Sequence, residues 1–520
     1  MDLMMEVISD IAAIGHLLVL FLGALMCLLL EVVPWNLWMQ KPDSEARVKR
    51  LKKGVAGTVG FLTVLVSFVL LLVNQPLFLE NKKVFSEALF VDPLVWLFSL
   101  LLLIALMGSL LIAVSSAFRS GIESIFEVVA LYLFVGFGAL VFLSAASFLV
   151  VFVGLEIFSL ALYALAACAI GVRASTEAAI KYFILGSFSS CILLYGIALA
   201  YGVTGSLQIQ SVLSDDALTG MGGTLALGLI MGGVIFKIGA FPMHFWVPDT
   251  YEGAPLAVTA LMASLVKVAS FGLLIRLIWL LSGEANLAWE GLVWILAFLS
   301  MVVGNVAALR QSQVVRIIAY SSIAQAGYLL VGLMAGDLMT VVSFYLFGYV
   351  IVTLALFSSL AILGQPGLEF SLDSIRGVAR RYPIVGLAVS FALLSLAGLP
   401  PGLAGLFGKL YLLQEVMRTG YTGLGVIALL CSVIGCYYYV NIIVAIWSVP
   451  LVERERGSTK GHGDDDPTIN SDSVVRYDVS LASDGLCHIV LLTTTVTLLL
   501  LSLFPEYVYP WLRAWFNTVQ

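Results

Sequence analysis

Val234-Ile235-Phe236-Lys237-Ile238-Gly239-Ala240-Phe241-Pro242 belongs to an apolar run centred near residue 234. An apolar stretch of ~20 residues spells a membrane-spanning helix, yet this one carries a lysine near mid-span and is then broken by glycine and proline. The combination recurs at Gly398-Leu399-Pro400-Pro401-Gly402, followed by Lys409. A charge at the bilayer centre costs at least ~2.5–3.5 kcal/mol. A helix cut at membrane depth also frees backbone groups that protein or water must satisfy. Two broken spans, each with a lysine, point to a charge-conducting path rather than to two proline kinks.

The surrounding chain agrees. Of 520 residues, 61% are hydrophobic and only 11% charged, with a mean hydropathy of +1.06; a soluble domain carries about a quarter charged residues. This is a polytopic membrane protein. The net charge of −6 says little, because most charge lies in loops and tails, and no aromatic–basic surface suggests nucleic acid. Asp2, Glu6 and Asp10 flank the first apolar run, which continues to Glu31, so it reads as an uncleaved helix rather than a secretory signal. The six cysteines form no CxxC and no Cys/His cluster; they read as small core residues, and no metal or iron–sulfur site is expected. Gly402 to Lys409 faintly suggests a phosphate loop, but the glycine spacing is wrong and Leu410 stands where Ser or Thr is required. No flavin, nicotinamide or haem site is expected in this chain.

The expected architecture is an all-α membrane protein of about 14 transmembrane helices. Their centres fall near residues 22, 65, 103, 134, 158, 190, 234, 269, 299, 324, 351, 398, 434 and 495. Five helices separate the broken seventh span from the broken twelfth, so the two cross in opposite directions. That is the sequence sign of two inverted five-helix repeats, each containing one broken helix. The expected units are an N-terminal three-helix segment (1–120), a first repeat (121–282), a second (283–449), a solvated loop (450–485) with Asp464-Asp465-Asp466 and His462, and a C-terminal helix (486–520). Of the 26 Lys and Arg, 17 fall on the side of the first connection (Lys41 to Lys53) and four, Lys82, Lys83, Arg418 and Arg513, on the other. By the positive-inside rule both termini face away from the cytoplasm.

Five ionisable side chains inside the spans carry the chemistry: Glu156, Lys181, Lys237, Lys267 and Lys409. A Glu156/lysine pair either locks two helices together or switches protonation as the partners separate. Lys237 and Lys267 lie too deep for easy snorkelling. Lys409 reaches either the broken-helix cavity or the outer interface. Lys181, four residues after Glu177, either snorkels or joins the path. His244, the histidine nearest the lysines, either relays protons or caps. Ser321, Gln325 and Tyr328 share one helix face, with Asn305 and Ser300 on the preceding span, as polar path or interhelical glue. Arg276, near an outer helix end, is expected to snorkel.

Five stretches carry a family resemblance: Gly154-Leu-Glu156 to Tyr163, Glu177-Ala-Ala-Ile-Lys181 to Ser190, Phe236-Lys237 to Pro255, Tyr320 to Gly327, and Ala397-Gly-Leu-Pro-Pro-Gly402 to Lys409. The chain resembles the N-type (subunit 2) antiporter-like membrane subunit of respiratory complex I, the proton-pumping NADH:quinone oxidoreductase, over roughly residues 90 to 450. Lys409 stands where the M-type subunit usually has glutamate, and the chain ends at Gln520 without the L-type's lateral helix. The resemblance implies a non-redox subunit of a bacterial inner-membrane translocase, with NADH, FMN, iron–sulfur clusters and quinone in partner subunits. It implies M-type and K-type neighbours and contact with the lateral helix of the L-type subunit. It also implies that Glu156 and Lys237 alternate between paired and separated states while protons pass through Lys237 and Lys267 to Lys409. The alternatives are a Mrp-type sodium/proton antiporter subunit, a membrane subunit of a hydrogenase-type complex, and a structural arm subunit whose lysines no longer pump.

Overall fold

Apolar runs long enough to span a bilayer form helices wherever the sequence places them. The computed structural model describes residues 9–33, 35, 44–117, 124–214, 220–281, 286–363, 370–449 and 485–517. Lys41, His462 and the acidic run of the 450–484 loop lie outside these residues. The spans are α1 (Gly15–Val32), α2 (Ser44–Val73), α3 (Pro93–Ser116), α4 (Ile125–Ser144), α5 (Phe148–Ala166), α6 (Arg173–Thr204) and α7 (Met221–Ile238). They continue as α8 (Leu256–Leu280), α9 (Asn286–Ala308), α10 (Val314–Gly332) and α11 (Leu338–Leu363). The twelfth span is split into α12 (Pro383–Ala397) and α13 (Leu403–Arg418), and α14 (Thr422–Trp447) and α15 (Gly485–Leu503) follow. Among the described residues 13 helices are individually long and apolar enough to cross a membrane; α12 with α13 makes the fourteenth crossing.

Both breaks have the same backbone. Gly239 (φ +68°) and Gly398 (φ +77°) adopt the left-handed conformation that a residue with a Cβ avoids. Gly239 N–H donates to Phe236 O (3.1 Å) and Ala240 N–H to Ile235 O (3.4 Å); Gly398 N–H donates to Ser395 O (3.1 Å) and Leu399 N–H to Leu394 O (2.9 Å). This is the Schellman closure of a helix C-terminus, in one register at both sites. After the first break the chain forms a short helix, Trp246–Gly253, before α8. After the second it resumes directly as α13.

A second duplicated feature supports the inverted arrangement. Where α5 begins, Phe148 N–H donates to Leu207 O (2.9 Å) and Ile209 N–H to Ala146 O (2.9 Å). Where α10 begins, Val314 N–H donates to Phe370 O (2.6 Å) and Leu372 N–H to Ser312 O (2.9 Å). Ser147 thus pairs with Gln208 and Gln313 with Ser371, both antiparallel. Five crossings separate the two clasps, which places them on opposite membrane faces.

The core is centred on α8, whose most apolar stretch is entirely buried. By contrast α14 and α15 present about two-thirds of theirs outwards, with 33% and 39% buried, as lipid-facing helices do. Three details differ from the sequence expectation. A hairpin of β1 (Lys82–Val84) and β2 (Leu89–Val91) joins α2 to α3; its turn puts Phe85, Ser86 and Glu87 at positive φ, which no turn-residue pattern announces. The C-terminal segment is two helices, because Pro505 starts α16 (Pro505–Asn517), which docks through Trp515 Nε1 donating to Pro93 O (3.2 Å) and Tyr509 stacked on Tyr411 (4.1 Å).

The third is a correction. Arg276 does not snorkel: its side chain is 5% exposed and bonded to Asp92 (2.7 Å). Its guanidinium also lies 4.1 Å over the Phe90 ring. Asp92 is fixed in turn by capping α3, accepting from Val95 N–H (2.9 Å). A partner brought in by the hairpin makes burial cheaper than reaching water. Removing one member of a buried pair typically costs ~3–5 kcal/mol, whereas replacing both with apolar groups is often neutral. Arg276→Ala should therefore lower the thermal-denaturation midpoint of the purified protein in detergent, and Asp92→Leu/Arg276→Met should recover most of the loss.

Candidate functional site

Three lysines are buried in the helix bundle, each in a different cage. Lys237 lies on the last turn of α7 and is 1% exposed. Its Nζ sits 5.3–5.6 Å from the ring centroids of Phe158, Tyr163, Tyr182 and Phe236, an aromatic box that attracts a cation through ring quadrupoles. Among the described residues its only hydrogen-bond acceptor is the Tyr163 hydroxyl, at 3.4 Å. An ammonium has three donors, so two directions stay open to water or a carboxylate. Glu156 lies two turns before Tyr163 on α5, and its Oε1 is buried with no hydrogen-bond partner. No ion pair within 4.0 Å joins Glu156 to Lys237 among the described residues.

Lys267, in the middle of α8, is 2% exposed. It donates to Ser322 O on α10 and lies 4.8 Å over the Tyr349 ring on α11, so the central helix addresses the second repeat. Lys409 on α13 turns towards the break and not to the outer interface. Its Nζ donates to Leu396 O (2.8 Å), Ala397 O (3.1 Å) and Ser432 Oγ (2.9 Å), and it lies 5.0 Å over the Tyr328 ring. All three ammonium donors are answered, two of them by carbonyls at the negative end of α12. At the first break Trp246 Nε1 donates to Phe236 O (2.9 Å), and Ser300 Oγ accepts from Phe241 N–H (3.0 Å).

Lys181 differs from these three. Its side chain is 43% exposed and ion-paired to Glu177 (2.7 Å) and Asp249 (2.8 Å). Asp249 also meets Arg316 (3.0 Å), which reaches Glu252 (2.8 Å). Burial works to raise the Asp249 carboxyl, but the hydrogen bond and charge of Lys181, with Arg316, outweigh it and hold the group below its ordinary value. These residues line an open cavity of about 440 Å³ beside the short helix Trp246–Gly253. His244 is buried, stacked between Phe241 (5.7 Å) and Phe245 (4.5 Å), with Nδ1 lacking a hydrogen-bond partner.

The arrangement is that of a polar seam at membrane depth, and comparison with known proteins agrees. Residues 145–435 match the family model for the membrane-spanning part of NADH:quinone oxidoreductase and Mrp antiporter subunits. The NADH-quinone oxidoreductase subunit N of Trichlorobacter lovleyi is 37% identical over 70% of this chain and 76% of its own. That of Herminiimonas arsenicoxydans is 38% identical over 62% and 68%. The chain belongs to the NADH:quinone oxidoreductase/Mrp antiporter family. It is also similar in structure to a chain of respiratory complex I from Thermus thermophilus solved with bound aureothin, with a TM-score of 0.74 and 30% identity over 95% of this chain and 98% of that one.

Within this family member the structure adds residues to the site that charge alone did not flag. Tyr163 and Tyr182 form the box around Lys237, their rings 4.8 Å apart and nearly perpendicular. Gly186 makes room for them: a Cβ there would lie 1.9 Å from the Tyr163 hydroxyl. The signal was present, since Tyr163 follows Glu156 by seven residues on one helix face, but a tyrosine in an apolar run reads as core. Gly186→Ala should displace the Tyr163 hydroxyl from Lys237 and reproduce the effect of Tyr163→Phe. Both variants should slow proton-coupled turnover by about the same factor, and combining them should add little, as expected for sites that share one interaction.

Proposed function

We propose that this chain is the N-type membrane subunit of a proton-translocating NADH:quinone oxidoreductase. It carries no redox chemistry of its own and moves protons through Glu156, Lys237, Lys267 and Lys409. The observation that carries the proposal is that three lysines are buried at 7% exposure or less, each beside a hydroxyl or carbonyl of a neighbouring helix. Packing requires no buried lysine; a conducting path requires several.

In this scheme NADH, FMN, iron–sulfur clusters and quinone belong to partner subunits, with M-type and K-type subunits as neighbours and the L-type lateral helix alongside. The chain sits in a bacterial inner membrane with both termini away from the cytoplasm. Residues 121–282 and 283–449 act as the two inverted units behind the 1–120 segment. The open cavity at Lys181 and Asp249 collects protons on the basic-loop side. Glu156 closes on Lys237 or withdraws from it as the membrane arm changes shape, and Tyr163 marks the gap between them. His244, beside the first break, serves as an auxiliary relay.

The magnitudes suit the task. Two unit charges brought to ~4 Å at an effective dielectric constant of ~20 interact by about 4 kcal/mol. Moving one charge against 100 mV costs about 2.3 kcal/mol. Opening and closing one Glu156–Lys237 pair is therefore enough to drive a proton across.

The test is the purified complex in proteoliposomes, scored for quinone reduction and protons moved per electron. Lys237→Ala should slow proton-coupled turnover by at least ~10-fold, below the usual contribution of a proton-transferring side chain. Lys181→Ala should cost less than about fivefold, because half-exposed ion pairs are worth ~0–1 kcal/mol. Unchanged protons per electron in an assembled Lys237→Ala complex would sink the scheme.

A further inference from the structure

Between Lys267 and Lys409 lies a run of hydroxyls with an amide in the middle. Ser322 Oγ and Tyr349 OH are 3.2 Å apart, and Lys267 meets the same two residues through the Ser322 carbonyl and the Tyr349 ring face. Tyr345, one turn before Tyr349 on α11, donates to Gln325 Oε1. Gln325 Nε2 donates to Tyr439 OH (3.1 Å) and Leu396 O (3.4 Å). Tyr439 shares a hydrogen bond with Ser321 Oγ. Leu396 O also accepts from Lys409 (2.8 Å). Gln325 therefore touches the carbonyl that holds Lys409 and, through Tyr345, the helix face that holds Lys267.

The orientation of the amide follows from its partners. A carbonyl oxygen can only accept, so Leu396 O must face the NH₂ end of Gln325, and Oε1 must take the proton of Tyr345. Tyr439 accepts from Gln325 and shares its other hydrogen bond with Ser321. Gln325 thus has the direction of all three of its own bonds fixed. Hydroxyls and water pass a proton on by accepting one and releasing another. An amide cannot do so without losing an N–H proton to become its imidic-acid tautomer. Two cavities flank this point. One of about 20 Å³ touches Gln325, Tyr345, Tyr349 and Leu396; another of about 10 Å³ touches Ser321, Ser322, Tyr349 and Thr353. Each is about the size that holds one water.

We infer that Gln325 is a valve, a positioning residue whose amide interrupts the polar path between Lys267 and Lys409. Protons then cross only when the Leu396 junction rearranges with Lys409, and the resting protein does not leak. The inference rests on the proton-conducting scheme above and adds to it the element that prevents idle conduction.

The assembled complex in proteoliposomes tests it, read as passive proton conductance under an imposed pH gradient with no electron donor, and as protons per electron during turnover. Gln325→Glu places an exchangeable proton in the gap and should raise passive conductance about tenfold, with a pH profile absent from the wild type. Gln325→Met has similar length but no exchangeable proton and should leave conductance near the wild-type level. Equal leaks in both variants would mean simple loosening and overturn the valve, as would wild-type conductance in Gln325→Glu. If Gln325→Glu does not assemble, Gln325→Ser decides. It replaces the amide with a hydroxyl and room for water beside the adjoining cavity and should leak; wild-type conductance there overturns the inference. Lys267→Ala run in parallel separates the two ideas: full pumping without Lys267 defeats the conduction scheme, whereas lost pumping with unaffected Gln325 variants defeats only the valve.

Discussion

A helix cut inside a membrane exposes carbonyl oxygens that lipid cannot answer, and here the most demanding of them are answered by a charge. Leu396 O and Ala397 O, at the open end of α12, accept from Lys409. The break needs a donor and the buried ammonium needs acceptors, so each removes the other's desolvation penalty. At the first break the same need is met without charge, by Trp246 reaching Phe236 O. That difference leaves Lys237, one residue along, in its aromatic box with a single hydroxyl for company. One backbone geometry used twice thus yields a firmly held lysine in one repeat and a loosely held one in the other.

The contrast suits directional transport. In the proposed scheme the group that receives protons should be easy to approach and easy to perturb, and Lys237 has open hydrogen-bonding directions. In the same scheme a group near the exit should hold its position until its surroundings change, and three oxygens fix Lys409. Lys267 lies on the buried central helix α8, bound to one carbonyl and one ring face. Rings do much of the work throughout. They accept a cation weakly without offering it a proton acceptor of comparable strength, so charge is tolerated without being trapped.

The spans, both breaks and the buried lysines were legible in the sequence because each violates a strong rule: apolar length, helix continuity, or exclusion of charge from lipid. What the sequence hid were relations between distant segments. Arg276 looked like a residue that reaches for water, because its partner Asp92 lies beyond five other helices and is delivered by a hairpin with an unusual turn. Lys181 shared a span with apolar residues, yet α6 is long enough at 32 residues to carry it clear of the core and into the Asp249 network. Gln325 was visible as one of several polar residues on a helix face; its place at a junction shows only when α10, α11, α12 and α14 are brought together. Single-residue anomalies are readable from composition and spacing, whereas pairings are not.

The ion pair at Asp92 has a mechanical side. α8 carries Lys267 at its middle and Arg276 near its end, half the helix circumference apart. Arg276 is clamped to the cap of α3, so the outer end of α8 is a fixed pivot. A shift of Lys267 relative to Ser322 and Tyr349 would then be a swing of the inner part of this rod, whose inner end joins directly to the short helix after the first break. Movement at that break would be geared to Lys267 through this connection, with a stroke limited by the distance from the lysine to its anchor.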